Sequence, residues 1–300
     1  MAKGGFGSLL TMRLYKRFRK IPVFLLPLVV STVVITLVIF VTSLKPVLSS
    51  LLSEPNLSPH HSSTPLVPKE VCLALLHFAT TPDVPQQSKD EINVTMRVLM
   101  ERGPSNFLVF GMWFDSLLWA TFNYGGRTVF LEESQEWIDR MRNNHPQLES
   151  YRVNYSTNLG EASELLLTSK KLRSTGCRAY QSITKSTCPL ALTTRQGLPQ
   201  ELLSEEWDVI MIDGPRSFRD RSFPGRMSAI FTAAVMARSP RTGPGYVDIF
   251  VHDVSRPVER KYAKEFLCTE NLVSSVGDLW HFRVRPSSSA DFCSNAPTVS

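Results

Sequence analysis

The sequence has no glycine-rich phosphate loop, no Asp-x-Asp tripeptide, no internal repeat and no acidic residue among its first 20. Each absence narrows the field. A pyrophosphate needs several backbone N–H groups at close range, which a run of glycines supplies and this chain does not. Without Asp-x-Asp the chain lacks the metal motif common among enzymes that use nucleotide-sugar donors. Five cysteines in 300 residues are too few for a small disulfide scaffold. The formal charge of +6 invites a nucleic-acid reading, but six of the 33 basic residues are Lys3, Arg13, Lys16, Arg17, Arg19 and Lys20 in the acid-free tail. That leaves 27 basic residues against 27 acidic ones. The excess belongs to the tail and points to no nucleic-acid partner.

Residues 21–44 contain no charge at all. As a helix these 24 residues would span roughly 36 Å, enough for a hydrocarbon core of about 30 Å with some tilt. The run exceeds the apolar region of a cleaved signal, about 7 to 15 residues. Basic residues before it, with only Lys45 close behind, predict a cytoplasmic N-terminus and a lumenal remainder. The expected organisation is a basic tail over 1–20, a transmembrane signal anchor over 21–44, a Ser/Pro-rich stem over 45–89, a folded domain over 90–286 and a tail over 287–300. Short helices are predicted over 70–78 within the stem and over 90–101 at the entry to the domain. Asn56, Asn93 and Asn154 each head an Asn-x-Ser/Thr acceptor. All five cysteines follow the apolar run, and Cys177 with Cys188 closes the shortest loop among the readily paired ones. The odd number leaves at least one thiol without a partner in the chain.

From Asn106 onward short apolar runs alternate with amphipathic segments, which predicts a Rossmann-like, doubly wound α/β domain with a mostly parallel sheet. Strands are expected over 106–110, 127–131, 151–155, 208–212, 247–251 and 279–284. Helices are expected over 115–122, 135–143, 159–171, 226–238 and 257–267, with a cysteine-bearing excursion over 174–206.

In such a sheet, ligands bind beyond the carboxyl ends of the strands. The first strand ends at Gly111 and the second at Glu132-Glu133, 21 residues later. A glycine at the first turn admits a ligand close to the backbone, and an acid at that distance accepts hydrogen bonds from ribose hydroxyls. With only one glycine, S-adenosylmethionine, which carries no phosphate, suits the turn better than a dinucleotide. Gly111, Glu132 and, as a weaker contact, Asp115 are the expected cofactor ligands. The fourth strand ends at Asp213 and the fifth at His252-Asp253. Asp213, His252 and Asp253 are candidates for deprotonating a sugar hydroxyl, or alternatively Asp213 and Asp253 for holding a divalent cation. Arg216 and Arg226, with Arg219 and Arg221, crowd the loop after strand four and are candidates for binding a substrate carboxylate.

The stretches Asn106–Gly111, Asp115–Trp119, Gly125–Glu133, Trp207–Pro215, Pro224–Ser239 and Asp248–Cys268 resemble a plant polysaccharide-biosynthesis family. It contains the glucuronoxylan 4-O-methyltransferases, arabinogalactan methyltransferases and irregular-xylem xylan proteins. The resemblance implies a Golgi type II membrane protein with a methyltransferase-like fold, acting on cell-wall glycan. For the methyltransferase branch it implies methyl transfer from S-adenosylmethionine to O4 of glucuronic acid on xylan, and for the irregular-xylem branch a non-catalytic requirement in xylan synthesis. Two departures stand out. Trp113 and Phe114 replace a glycine and a histidine of the methyltransferase branch, and Ser105 stands where the family tends to place a cysteine.

Overall fold

The computed structural model describes residues 67–82, 85–243 and 245–294, together with 31, 36, 38–40 and 42. Two compact units divide the chain, Met1–Thr64 and Pro65–Ser300. In the first, the six described residues are helical. Among the described residues no helix is long and apolar enough to cross a membrane. The expected anchor over 21–44 lies largely outside the described residues, and of the stem expected over 45–89 only 67–82 and 85–89 are described.

The second unit contains seven strands, β1 (Asn106–Phe110), β2 (Arg127–Glu132), β3 (Glu149–Arg152), β4 (Val209–Ile212), β5 (Val247–Val251), β6 (Leu272–Val276) and β7 (Leu279–Val284). Its helices are α1 (Lys69–Thr80), α2 (Lys89–Arg102), α3 (Ser116–Phe122), α4 (Gln135–Asn144), α5 (Ala162–Lys171), α6 (Gln200–Ser204), α7 (Met227–Met236) and α8 (Pro257–Phe266). The sheet order is β3-β2-β1-β4-β5-β7-β6. β1 to β5 are parallel, and β7 runs antiparallel to both β5 and β6. The order reverses between β1 and β4, which places the ligand crevice at their tips.

Alternation along the strands divides the core in two. Leu108, Phe110, Ile210, Ile212, Ile249 and Val251 face the side covered by α7 and α8. Phe107, Val109, Val209, Met211 and Phe250 face the side covered by α2, α3 and α4. Buried on both faces, these strands read as continuous apolar runs. α7 (MSAIFTAAVM) has no polar stripe because the 174–206 excursion covers its outer face. Leu190, Leu192, Leu198, Leu202 and Leu203 pack into that core, and the Thr232 hydroxyl accepts the Leu192 N–H at 3.0 Å.

Cys177 is bonded to Cys188, as the loop length predicted, and Cys268 to Cys293. Cys72 is free and exposed. The second disulfide draws the end of the chain into the domain, where Phe292 packs against Phe231 and Phe266. Residues 287–294 are therefore structural rather than a loose tail. The same holds at the other end, since α1 packs beside α3 and the domain begins well before residue 90. β3 lies two residues earlier than expected, and β6 was not expected at all. Its sequence LVSSV alternates weakly, and the hairpin signal is confined to Gly277, at φ 54°, and Asp278 before β7.

Candidate active site

The tips of β1, β2, β4 and β5 open into a cavity of about 510 Å³, within the range of small-molecule sites. Its wall carries five carboxylates, Asp115, Glu132, Glu133, Asp213 and Asp253, and three tryptophans, Trp113, Trp119 and Trp137.

Gly111 turns the chain off β1 at φ 106°. A Cβ there would lie 2.9 Å from the Gly214 nitrogen, and one on Gly214 would lie 2.5 Å from the Gly111 Cα. The turns after β1 and β4 thus touch backbone to backbone. Gly111 is required by this contact as well as by its dihedral, a reason the sequence does not disclose. Gly214→Ala is expected to destabilise the fold by about 3 kcal/mol or more, because neither backbone can yield. Gly125→Ala is the control. It also has positive φ, but its Cβ meets nothing closer than 3.9 Å, and thermal unfolding should register only about 1 to 2 kcal/mol of dihedral strain.

Glu132 ends β2 and accepts the Met112 N–H at 3.1 Å and the Ser134 N–H at 2.9 Å. Burial raises its pKa, partly offset by those bonds. Asp115, buried just before α3, is pushed up to about 7 by burial and then by the nearby Asp213 charge.

Asp213 and His252 make the central pair. His252 Nδ1 lies 2.9 Å from Asp213 Oδ1. Burial opposes both charges, yet this bond and the surrounding charges win. His252 is raised above 6.5, chiefly by its bond to Asp213, and Asp213 is lowered below 3.8 by His252, Arg226 and Gln87. Stability from His252 is therefore complete below pH 6.5 and is lost as pH rises through its higher folded value. Stability from Asp213 is present above pH 3.8 and is lost as pH falls through its lower folded value.

His252 does not line the cavity. Its Nδ1 is bonded to Asp213, and its Nε2 faces Glu91 of α2 at 3.9 Å. The structure thus places it behind Asp213, where it holds that carboxylate and cannot reach an acceptor hydroxyl. Asp253 does line the cavity, in a left-handed conformation with φ 62°, a strain of the kind that gathers at functional sites.

Arg226 departs furthest from expectation. Its side chain is only 6% exposed, and its Nη2 lies 3.2 Å from Asp213 and 2.7 Å from Asp253. Its Nη1 donates to the His252 carbonyl at 2.8 Å. Arg226 lines the cavity as expected, but both its Nη atoms are engaged within the protein and its buried Nε has no partner among the described residues, so its fork serves Asp213, Asp253 and the His252 carbonyl. It also answers the metal question. Asp213, His252 and Asp253 offer ligand atoms within 4.8 Å of one another, but the Arg226 guanidinium occupies the place between the carboxylates and supplies the positive charge they need. The donor set does not fit a divalent cation. Arg216, by contrast, stands at the rim, 67% exposed, with Nε donating to Glu133 at 2.6 Å and its guanidinium over Phe223.

Trp113 stacks on Trp137 with ring centroids 4.5 Å apart, and Phe114 meets both edge-on. The two departures in the first turn thus form one aromatic cluster with a residue of α4, in which Trp113 and Trp137 line the cavity and Phe114 packs against both.

A parallel sheet reversing at β1 and β4, with an antiparallel β7 and this cavity at the reversal, defines a Rossmann-type, methyltransferase-like α/β protein. The description IRX15/IRX15L/GXM matches residues 90–282, and the chain belongs to that family. Arabinogalactan O-methyltransferase 2 of Arabidopsis thaliana is 48% identical over 212 residues, 70% of this chain and 71% of that protein. Glucuronoxylan 4-O-methyltransferase 1 of the same plant is 44% identical over 72% and 74% of the two chains, and Protein IRREGULAR XYLEM 15 is 40% identical over 77% and 70%. Among solved structures, the O-methyltransferase from Bacillus cereus in complex with SAH is 15% identical, covering 73% of this chain and 93% of that one, with a TM-score of 0.37. The fold assignment rests on the strand order rather than on that score.

Proposed function

We propose that the protein is an S-adenosylmethionine-dependent O-methyltransferase acting on glucuronic acid side chains of xylan or a related wall polysaccharide. Its domain faces the Golgi lumen behind a single N-terminal membrane helix at 21–44. The observation that carries this reading is the lining of the cavity. Carboxylates and indole faces favour a cationic sulfonium and disfavour a phosphate, and Glu132 stands where ribose hydroxyls are held. The printed names of the relatives, arabinogalactan and glucuronoxylan O-methyltransferases, support the same reaction class.

In this reading Gly111 and Glu132 hold the cofactor, with Asp115 beside them. When bound, S-adenosylmethionine supplies an electrophilic methyl group whose transfer to oxygen leaves a thioether. Asp213 takes the proton of the acceptor hydroxyl. A carboxylate held below its ordinary range is a weak base, but the hydroxyl proton becomes strongly acidic once its oxygen begins to bond carbon. Asp213 therefore need only be ionised and in place, which His252 and Arg226 ensure. Asp253 anchors Arg226, and Arg216 at the rim is available to an acidic sugar.

The aromatic cluster of Trp113, Phe114 and Trp137 favours a second reading, a non-catalytic protein required for xylan synthesis, because Trp113 brings a bulky indole to the cavity wall beside Gly111. Calorimetry with S-adenosylmethionine and a labelled-methyl transfer assay across glucuronoxylan, arabinogalactan and pectin fragments separate the two. Binding with methylation of an acidic glycan is expected. Absence of cofactor binding would remove the methyltransferase reading.

A further inference from the structure

The short segment that enters α2 lies ahead of the residues matched by the family description, yet it reaches the centre of the site. Gln86 lines the cavity. Gln87 is 4% exposed, and its Nε2 donates to Asp213 Oδ2 at 3.1 Å. Ser88 caps α2 through a reciprocal capping box with Glu91. Glu91 in turn accepts the Asp278 N–H at 2.6 Å and faces His252. Both members of the Asp213–His252 pair are thus met from behind by one turn of chain, fixed at its base by a helix cap.

The contacts on Asp213 are unevenly distributed. Oδ1 receives His252 Nδ1 and lies 3.2 Å from the Arg226 guanidinium. Among the described residues Oδ2 receives only the Gln87 amide, which leaves its second lone pair unengaged in a residue that lines the cavity. A neutral amide is the appropriate donor here, because it fixes the oxygen by one hydrogen bond without adding a charge that would bind it more tightly. Its own Oε1 is buried without a partner, so the amide is held for what its nitrogen does.

We propose that Gln87 is a positioning residue for the methyl-transfer step, fixing Oδ2 of Asp213 so that its free lone pair faces the acceptor hydroxyl. The inference rests on the reading of Asp213 as the base in the proposed methyltransferase. The groups that set the Asp213 charge are His252 and Asp253 after β5, Arg226 at the start of α7, Asp115 before α3 and, through His252, Glu91 on α2. None of them touches Oδ2 among the described residues, so Gln87 can be altered while those contacts remain.

The test compares Gln87→Leu and Gln87→Glu with the wild type in the full chain. Gln87→Leu is expected to lower kcat about tenfold or more, the loss of a hydrogen bond to a charged group. KM for the acceptor should stay close to the wild type, and the melting temperature should fall by no more than the raised Asp213 titration accounts for. The acidic limb of the kcat profile should move to higher pH, and further in Gln87→Glu, where a second carboxylate opposes ionisation. A ¹³C NMR titration of the Asp213 carboxyl, which needs no acceptor, should rise in the same order. An unmoved Asp213 titration in Gln87→Leu overturns the inference, and so does a fall in kcat with an unshifted acidic limb. If the titration moves but wild-type protein methylates no glycan, the methyltransferase reading fails while the Gln87–Asp213 coupling stands.

Discussion

Asp213→Asn is expected to reduce methyl transfer by about 10² to 10⁴-fold, the usual scale for loss of a general base. Cofactor affinity should change less than about twofold on a calorimetric scale, where each tenfold corresponds to about 1.4 kcal/mol. The substitution preserves shape, and the Gln87 amide can rotate so that Oε1 accepts from the new amide nitrogen in place of the bond it now makes to Oδ2. The fold therefore survives the change, and labelled-methyl transfer reports on chemistry alone. His252 loses the partner that raises its pKa, so the fall in stability above pH 6.5 should shrink or vanish in this variant, measurable as melting temperature against pH. Transfer at wild-type rate would remove Asp213 from the reaction.

Arg226→Met carries the largest expected loss of stability. It leaves Asp213 and Asp253 facing one another without the guanidinium that now lies within 3.2 Å of both. Removing one partner from a buried ion pair costs about 3 to 5 kcal/mol, with Arg256 at 3.0 Å from Asp253 and His252 at 2.9 Å from Asp213 left to offset part of the loss. Thermal unfolding should show the loss at pH 7. If the guanidinium stands where a cation would otherwise be needed, millimolar Mn²⁺ should recover part of it in the variant and none in the wild type. Equal effects of Mn²⁺ on both proteins would contradict the placement of Arg226.

The parts of this molecule that were legible in the sequence are those whose signal is local. β1, β5 and β7 are short, mainly apolar runs bounded by turns, and their limits were read to the residue. The acids at strand tips were visible because a carboxylate directly after four apolar residues has few places to go. The direction each tip residue faces was also encoded, through parity. Met211 and Phe250 face the α2 side, so Asp213 and His252, two residues on in each case, turn the same way. Reading parity past the strand end would have set Asp213 and His252 side by side on one face. What was not legible is non-local. Gln87 reaches Asp213 across 126 residues of sequence from a Pro/Gln/Ser stretch that reads as linker. Arg226 is one of four arginines in a short run, and nothing in the sequence marks it as the one that folds inward. β6 was missed because an edge strand with no fully buried residue carries little apolar pattern.

The Trp113–Trp137 stack has a practical side. Two indole rings 4.5 Å apart and 25° from parallel are expected to couple electronically, which near-ultraviolet circular dichroism would show as a paired band. Both rings form part of the cavity wall, so any molecule that slides between or against them must alter that signal. The protein therefore carries an optical sensor in its own active-site wall, able to register occupancy without label or turnover.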